Sequence, residues 1–322
     1  MDLMHAAVAT SFDEPPQYKE FAVPSPNNEH HELVDVLAVG LHPRVRTDAS
    51  GKHYTSTGEL PMIPGVDGVG RMADGRRIYF VADDKFPGSM AEKAVVDVRR
   101  TVHLPDDADA EKIAAAMNPA MSSWVALRRR VPIDPGQKVL VLGATGNAGT
   151  MAVQVAKVLG AGSVVGAGRD IDRLEALRRV GADDIVQLND DGDATAAALA
   201  EAAAEVDIVI DYVWGKPAEQ AIMALLTARS DRSRPLDWIQ IGAMAGPTLE
   251  LPSVALRSAN LRIQGNGQGA VSTEGYLAEL PSLIDAICSG TLKIASRTVA
   301  LRDVESAWVQ PDVSGQRIVI VP

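Results

Sequence analysis

Glycines at 143, 146 and 149, set between an apolar run and a helical pattern, have the spacing that speaks most directly of chemistry in this chain. The segment reads Lys138-Val-Leu-Val-Leu-Gly-Ala-Thr-Gly-Asn-Ala-Gly149. Val139 to Leu142 has the unbroken apolar character of a strand buried on both faces. Met151 to Leu159 repeats apolar residues at helical spacing. Gly146 lets the backbone come close to a bulky anion, and Gly149 lets the helix lie against its strand. The helix start then offers unpaired N–H groups and the positive end of its dipole. Strand, glycine turn and helix in this order predict a dinucleotide site built from Gly143, Ala144, Thr145, Gly146, Asn147, Ala148 and Gly149. Ala144 stands where the usual G-x-G-x-x-G pattern begins.

The next strand, Ser163 to Gly168, bears on which dinucleotide is bound. An NAD site places Asp or Glu near this strand end to accept hydrogen bonds from the ribose 2′-hydroxyl. Here Gly168 is followed by Arg169, Asp170 and, further on, Arg173. A missing carboxylate removes repulsion against a 2′-phosphate, and a guanidinium supplies a bidentate partner for it. NADP(H) is therefore the expected cofactor, with Gly168, Arg169 and Arg173 around its 2′-phosphate. Asp170 has two readings, as a displaced ribose ligand or as the cap of a helix beginning near Ile171.

The elements that must position these residues follow from the same pattern. Strands are expected at Val139–Gly143, Ser163–Gly168, Asp184–Leu188, Val206–Val213, Trp238–Ala243 and Leu261–Gly265. Helices are expected at Met151–Leu159, Arg173–Val180, Ala194–Ala204 and Glu219–Leu226. This alternation predicts an α/β fold with a doubly wound parallel sheet of Rossmann type. Ligands of such sheets lie beyond the carboxyl ends of the strands. That nominates Asp211 and Tyr212, Gly242 and Ala243, and Asn266 within Gly265-Asn-Gly-Gln268 as further cofactor contacts. The first 115 or so residues hold short strands broken by Pro and Gly, such as Leu33–Val39, Gly75–Val81 and Ala94–Val98. Arg297–Leu301 and Gln316–Val321 near the end are strand-like again. The expected organisation is a Rossmann domain (residues 119–265) inserted into a split, mainly β substrate domain (1–118 and 266–322).

Composition limits the class of partner. A chain of 322 residues exceeds one ordinary core, and 46% hydrophobic residues is the level of a globular protein. A net charge of −11 disfavours nucleic acid and anionic lipid. No apolar run is long enough to span a bilayer, and Met1-Asp-Leu-Met-His5 has no basic region leading into an apolar stretch. The single cysteine, Cys288, fits a reducing cytoplasm, which is the expected location. Arg128-Arg-Arg130 is read as a solvated helix end.

Several segments together resemble the medium-chain dehydrogenase/reductase superfamily, in particular its zinc-free quinone oxidoreductase branch. They are Leu60-Pro-Met-Ile-Pro-Gly-Val-Asp-Gly-Val-Gly70, the Gly143–Gly149 turn with Val153-Gln-Val-Ala-Lys-Val-Leu-Gly160, Val180-Gly-Ala-Asp183 and Gly315-Gln-Arg-Ile-Val-Ile320. The resemblance implies a GroES-like catalytic domain around the Rossmann domain and NADPH-dependent reduction of quinones, enones or related carbonyls. It implies that Asn118 and Ser122 touch the cofactor, and that two copies dimerise through the strand Leu261–Gly265. Zinc-dependent relatives carry a cysteine after the second strand and a His-Glu pair after the Pro-Gly. This chain has Gly40-Leu-His-Pro-Arg-Val-Arg46 and Gly65-Val-Asp67 instead, so no metal is expected. Gly65, Gly68 and Gly70 are read as tight turns, because no helical pattern follows them.

Hydride transfer to a carbonyl leaves charge on oxygen, so a donor and a proton source are needed. Without zinc, His42, Arg44 and Tyr54 are the candidates; His42 takes the place of an Asn common in the family, and Tyr54 matches a loop tyrosine that faces the nicotinamide. The expected partners are a small carbonyl or quinone substrate and a second copy of the chain. The rival function is an NADPH-binding redox sensor or structural protein without turnover.

Overall fold

Short runs of β-branched and aromatic residues, interrupted by Pro and Gly, give the first third of the chain its strands. These are β1 (Leu3–Val8), β2 (Gln17–Ala22), β3 (His31–Leu41), β4 (Asp67–Arg71), β5 (Arg77–Val81), β6 (Lys93–Asp97) and β7 (Thr101–His103), with α1 (Pro43–Ala49) after β3. Helix α2 (Ala110–Val125) follows. Strand and helix then alternate: β8 (Lys138–Leu142), α3 (Asn147–Val158), β9 (Ser163–Gly168), α4 (Ile171–Leu177), β10 (Asp184–Gln187), α5 (Gly192–Ala203), β11 (Ile208–Asp211), α6 (Gly215–Ala228), β12 (Leu236–Gln240), α7 (Ser253–Arg257) and β13 (Leu261–Gly265). Helix α8 (Thr273–Cys288), β14 (Ala295–Ala300), α9 (Val304–Val309) and β15 (Gln316–Val321) complete the chain. The structure is a computed structural model that describes residues 2–53, 56, 58–82, 86–267, 269–310 and 316–322. It divides into two units, Met1–Asn118 with Leu280–Pro322, and Pro119–Glu279.

The unit holding both chain ends is built on a seven-stranded sheet in the order β14-β15-β3-β4-β5-β7, with β6 also paired to β3. β14 and β15 run parallel, whereas β15, β3, β4, β5, β6 and β7 meet their neighbours antiparallel. β3 is the hub: its start pairs with β6, its middle with β4, and its end with β15. The core beneath contains Val34, Val36, Val39, Leu41, Ile78, Phe80, Val96, Ile318 and Ile320. The glycines at 68 and 70 differ from their reading as turns, because both lie inside β4. A methyl at Gly68 would stand 3.1 Å from Phe80 Cζ, and one at Gly70 would stand 3.3 Å from Phe80 Cε1. They are small because the Phe80 ring lies over the strand. Gly65, with φ +118°, does keep a turn conformation.

The other unit is a six-stranded, wholly parallel sheet in the order β10-β9-β8-β11-β12-β13. Sequence order reverses at β8 and β11, and that reversal opens the crevice in which doubly wound sheets hold ligands. Four of the six expected strands, β8, β10, β11 and β12, end sooner than their apolar patterns, although the residue after each strand end still donates to the neighbouring strand. Val139 to Leu142 are buried without exception, as a strand covered on both faces requires. Asp191 caps the Ala-rich α5 by accepting from the amides of Asp193 and Ala194. Arg128-Arg-Arg130 closes the helical turn with Arg128 and Arg129 exposed, as read, and adds partners to that reading. Arg128 and Arg129 both pair with the buried carboxylate of Glu279, and Arg130 donates to the carbonyls of Gly265 and Ala270.

The tightest joint in this unit lies between β8 and α3. A methyl built on Gly149 would stand 2.6 Å from Ala144 Cα and collide with the Gly143 carbonyl. Both obstacles are backbone, so neither can rotate away. Gly149→Ala is expected to lower stability by about 1–3 kcal/mol, the usual cost of overpacking, read as a lower denaturant midpoint. An unchanged midpoint would mean that the joint is looser than these distances.

Candidate functional site

The glycine turn after β8 forms a cradle with its donors aimed outward. Gly143 adopts φ +84°, a conformation that favours glycine, and turns the chain at the strand end. The Gly143 and Ala144 amides donate to the Ala167 carbonyl, which fixes the turn against β9. Gly146 is the N-cap of α3 and has no side chain to close over the first turn. The amides of Asn147, Ala148 and Gly149, at the head of the helix, lie beyond the reach of intrahelical acceptors. The cradle fits a pyrophosphate: small residues admit the anion, and the helix dipole favours its charge.

At the end of β9, Gly168 is buried and the Thr145 side chain lies against it. Arg173 reaches back from α4 and donates through Nη1 to the Thr145 carbonyl at 3.4 Å. Asp170 resolves its two readings in favour of the cap, since its side chain accepts from the Arg173 amide at 3.1 Å. Its second oxygen stands 3.3 Å from Arg173 Nε. The carboxylate nearest the strand end thus holds an arginine in place. Arg169 is exposed, and its carbonyl accepts from Gln187.

The far half of the crevice gathers the remaining expected residues of this unit. Ser122 and Tyr212 share a 2.9 Å hydrogen bond between their hydroxyls, and burial pushes the Tyr212 phenol up to about 12. Asn266 donates through Nδ2 to the Ser122 carbonyl at 2.8 Å. The oxygen of that amide, Oδ1, is buried and has no partner among the described residues. Gly242 is confined by Tyr212, whose carbonyl would meet an added methyl at 2.7 Å. Ala243 lies beside it, exposed. Asn118 sits one helical turn before Ser122 on α2. Asp211 is placed for a different task. It is fully buried, and its carboxylate accepts from the Val213 amide, the Trp214 amide and the Trp238 indole. Burial raises its pKa above the ordinary carboxylate value. That carboxylate is engaged by the chain's own donors and organises the turn in which Trp214 adopts φ +52°.

In the other unit, the structure brings together polar side chains that sequence reasoning left apart. His42 is 1% exposed, and its Nε2 lies 3.4 Å from Asp67 Oδ1. Tyr79 donates to the second oxygen of Asp67 at 2.6 Å, and Ser89 donates to the Asp67 carbonyl. Asp67 and Tyr79 are additions to the expected set. The only signal for them is a lone Asp among strand glycines and a lone Tyr inside an apolar strand. His42 Nδ1 is buried without a partner among the described residues. Burial lowers the His42 pKa, the Asp67 carboxylate opposes that shift, and the Arg317 and Arg44 charges add to it. Arg44 lies on α1 and is half-buried, whereas Tyr54 falls outside the described residues. Among the described residues, no group of three or more His, Cys, Asp or Glu side chains could hold a metal ion.

A pH dependence follows from the buried imidazole. The folded chain keeps His42 neutral, whereas the unfolded chain takes up a proton near the ordinary value of 6.5. Stability is thus fully present above that pH and is lost as pH falls through the window below it. The parent should lose up to about 1.4 kcal/mol per pH unit more than His42→Gln in this window. Denaturant unfolding at a series of pH values checks this, and parallel profiles would contradict it.

Comparisons with known proteins identify the family and the fold. A family model described as zinc-binding dehydrogenase matches residues 148–229. A probable NADPH-dependent quinone reductase of Emericella nidulans is 32% identical over 365 aligned positions, covering 99% of this chain and 100% of its own length. The quinone oxidoreductase of Lama guanicoe is 33% identical over 166 residues, which covers 48% of this chain and 50% of that protein. Among solved structures, the quinone oxidoreductase of Thermus thermophilus, also determined with NADPH, is 25% identical with a TM-score of 0.81, covering 99% of this chain and 100% of that one. A mycobacterial quinone oxidoreductase shares the fold at 22% identity, with a TM-score of 0.82 over 99% of this chain and 100% of that one.

Proposed function

This chain belongs to the quinone oxidoreductase-like group of the medium-chain dehydrogenase/reductase family, and on that footing we propose that it is an NADPH-dependent oxidoreductase. Its acceptor is a quinone, enone or related carbonyl, reduced without zinc. The observation that carries this reading is the glycine cradle at β8 and α3, flanked at the end of β9 by Arg173 rather than by a free carboxylate. Relatives named for NADPH-dependent quinone reduction support the cofactor and the acceptor class.

When bound, the nicotinamide supplies a hydride. The chain's own residues bind, orient and compensate charge. The α3 amides of Asn147, Ala148 and Gly149 hold the pyrophosphate, and Arg169 and Arg173 hold the 2′-phosphate. The unmet Oδ1 of Asn266 and the Ser122–Tyr212 pair suit the polar nicotinamide end, with Asn118 one turn away. The Pro119–Glu279 unit is then the cofactor domain, and the remaining unit binds the acceptor. His42, Arg44 and Tyr54 are the candidate donors to the acceptor oxygen. Asp67 occupies His42 Nε2, and Tyr79 holds the other oxygen of Asp67, which leaves Nδ1 as the unmet nitrogen, one that donates when the ring is protonated.

Steady oxidation of NADPH with a panel of quinones and enones, insensitive to chelators, is the expected result. Tight NADPH binding without turnover would favour the sensor, and loss of activity with chelator would overturn the zinc-free reading. Arg169→Ala and Arg173→Ala should each weaken NADPH by about 10- to 150-fold, the worth of a charge-assisted contact, and leave NADH nearly unchanged.

The assembly proposed is a homodimer through β13. That strand closes the sheet order, and Arg262 on it pairs with Asp237 of the neighbouring strand. Symmetric antiparallel pairing would satisfy its free N–H and C=O groups. Ile263→Pro, which removes a ladder donor, should shift sedimentation from dimer to monomer. A monomeric parent would end the idea.

A further inference from the structure

Preference between the two nicotinamide dinucleotides is usually ascribed to the side chain at the end of the second Rossmann strand. In this chain that position is Gly168, and its surroundings decide what could replace it. A methyl built on Gly168 would stand 2.6 Å from Thr145 Cγ2, 2.9 Å from Thr145 Oγ1 and 3.3 Å from Thr145 Cβ. Thr145 is β-branched, so its χ1 has few wells and one branch or the other stays in the way. Its backbone is tied as well, since its carbonyl accepts from Arg173 Nη1 at 3.4 Å. On the far side, the Gly168 carbonyl is fixed by the Leu188 amide at 2.7 Å.

We propose that Thr145 is a specificity-determining residue, because its side chain fills the space that a ribose-binding carboxylate at position 168 would need. The two branches of Thr145 exclude the acceptor that NADH requires. The Thr145 carbonyl holds Arg173, a cation that a 2′-phosphate requires. Asp170 is already engaged by Arg173, since one oxygen caps α4 at the Arg173 amide and the other faces Arg173 Nε. One residue of the glycine turn therefore acts on both sides of the choice. This inference rests on the NADP(H) reading of the site and adds a steric coupling to it.

The test is a double-mutant cycle at Thr145 and Gly168, read by equilibrium binding of NADPH and NADH and by thermal melting. In the parent background, Gly168→Asp is expected to weaken NADPH and gain nothing for NADH, because the carboxylate has no room beside Thr145. With Thr145→Ala, which removes both branches, Gly168→Asp should bind NADH about tenfold or more tightly than it does alone, the scale of a charged hydrogen bond. Thr145→Ala without the aspartate should give NADH no such gain. Gly168→Ala provides a readout that needs no cofactor: it should lower the melting temperature in the parent and lower it much less beside Thr145→Ala. Gly168→Asp alone binding NADH as well as the double variant would overturn the coupling, as would equal melting losses for Gly168→Ala in both backgrounds. A parent that binds both dinucleotides equally would instead refute the NADP(H) reading itself.

Discussion

The contact of backbone on backbone between β8 and α3 governs the rest of the nucleotide unit. Gly149 sets how near the helix lies, and Gly143 sets where the strand ends and the chain turns. Because both are glycines, the first amides of α3 emerge directly above the switch between β8 and β11. A side chain at Gly149 would push the helix away and carry the dipole with it, and one at Gly143 would press on Tyr212. The residues gathered around the crevice, from Thr145 to Tyr212, are packed against that turn rather than merely near it. The Tyr212 Cβ would meet a methyl at Gly143 at 3.2 Å. The cofactor site is thus a consequence of how a parallel strand and its helix can be joined most tightly.

An acidic chain that binds a polyanion must concentrate its positive charge. With 31 Lys and Arg against 42 Asp and Glu, the average field of this protein repels a dinucleotide phosphate. Three local devices offset this at the site: backbone amides, a helix dipole and the guanidinium of Arg173. Asp170 shows how the negative charge is kept from interfering. Its oxygens face the Arg173 amide and Nε, so it orients a cation that would otherwise swing in solvent. Asp211 is neutralised in a different manner, enclosed and met by two amides and an indole. Asp170 follows the end of β9 and Asp211 closes β11, and the hydrogen bonds of both carboxylates brace the frame.

What the sequence disclosed follows from what is local. The order of strands and helices, the cradle and the cap at Asp170 depend on residues within a few positions of one another, and their patterns survive in a linear reading. The long-range ties do not. His42, Asp67 and Tyr79 come from the N-cap of α1, from β4 and from β5, and only the antiparallel pairing of β4 with β5 places Asp67 and Tyr79 together. Glu279 attracts Arg128 and Arg129 across about 150 positions, so a linear reading finds their solvent exposure but not the buried carboxylate they hold. Gly68 and Gly70 escape a linear reading for a related reason. A glycine that lets the chain turn and a glycine that yields to an aromatic ring look alike until Phe80 is in place.

The buried His42–Asp67–Tyr79 cluster shows how a fold can hold a titratable group ready without exposing it. An imidazole in so dry a place loses its preference for charge, and one carboxylate restores only part of it. Tyr79 occupies the other oxygen of Asp67, so the carboxylate is shared and its pull on His42 is divided. The cationic groups Arg44 and Arg317 act in the same direction as burial. The balance therefore favours a neutral ring whose Nε2 faces the Asp67 carboxylate and whose unmet Nδ1 is an acceptor held at a fixed place. A solvated histidine at this position would titrate near the ordinary value of 6.5 and rotate freely, and would lose the fixed orientation of its nitrogens. The enclosure of His42 by strands on either side is what turns an ordinary side chain into an oriented one.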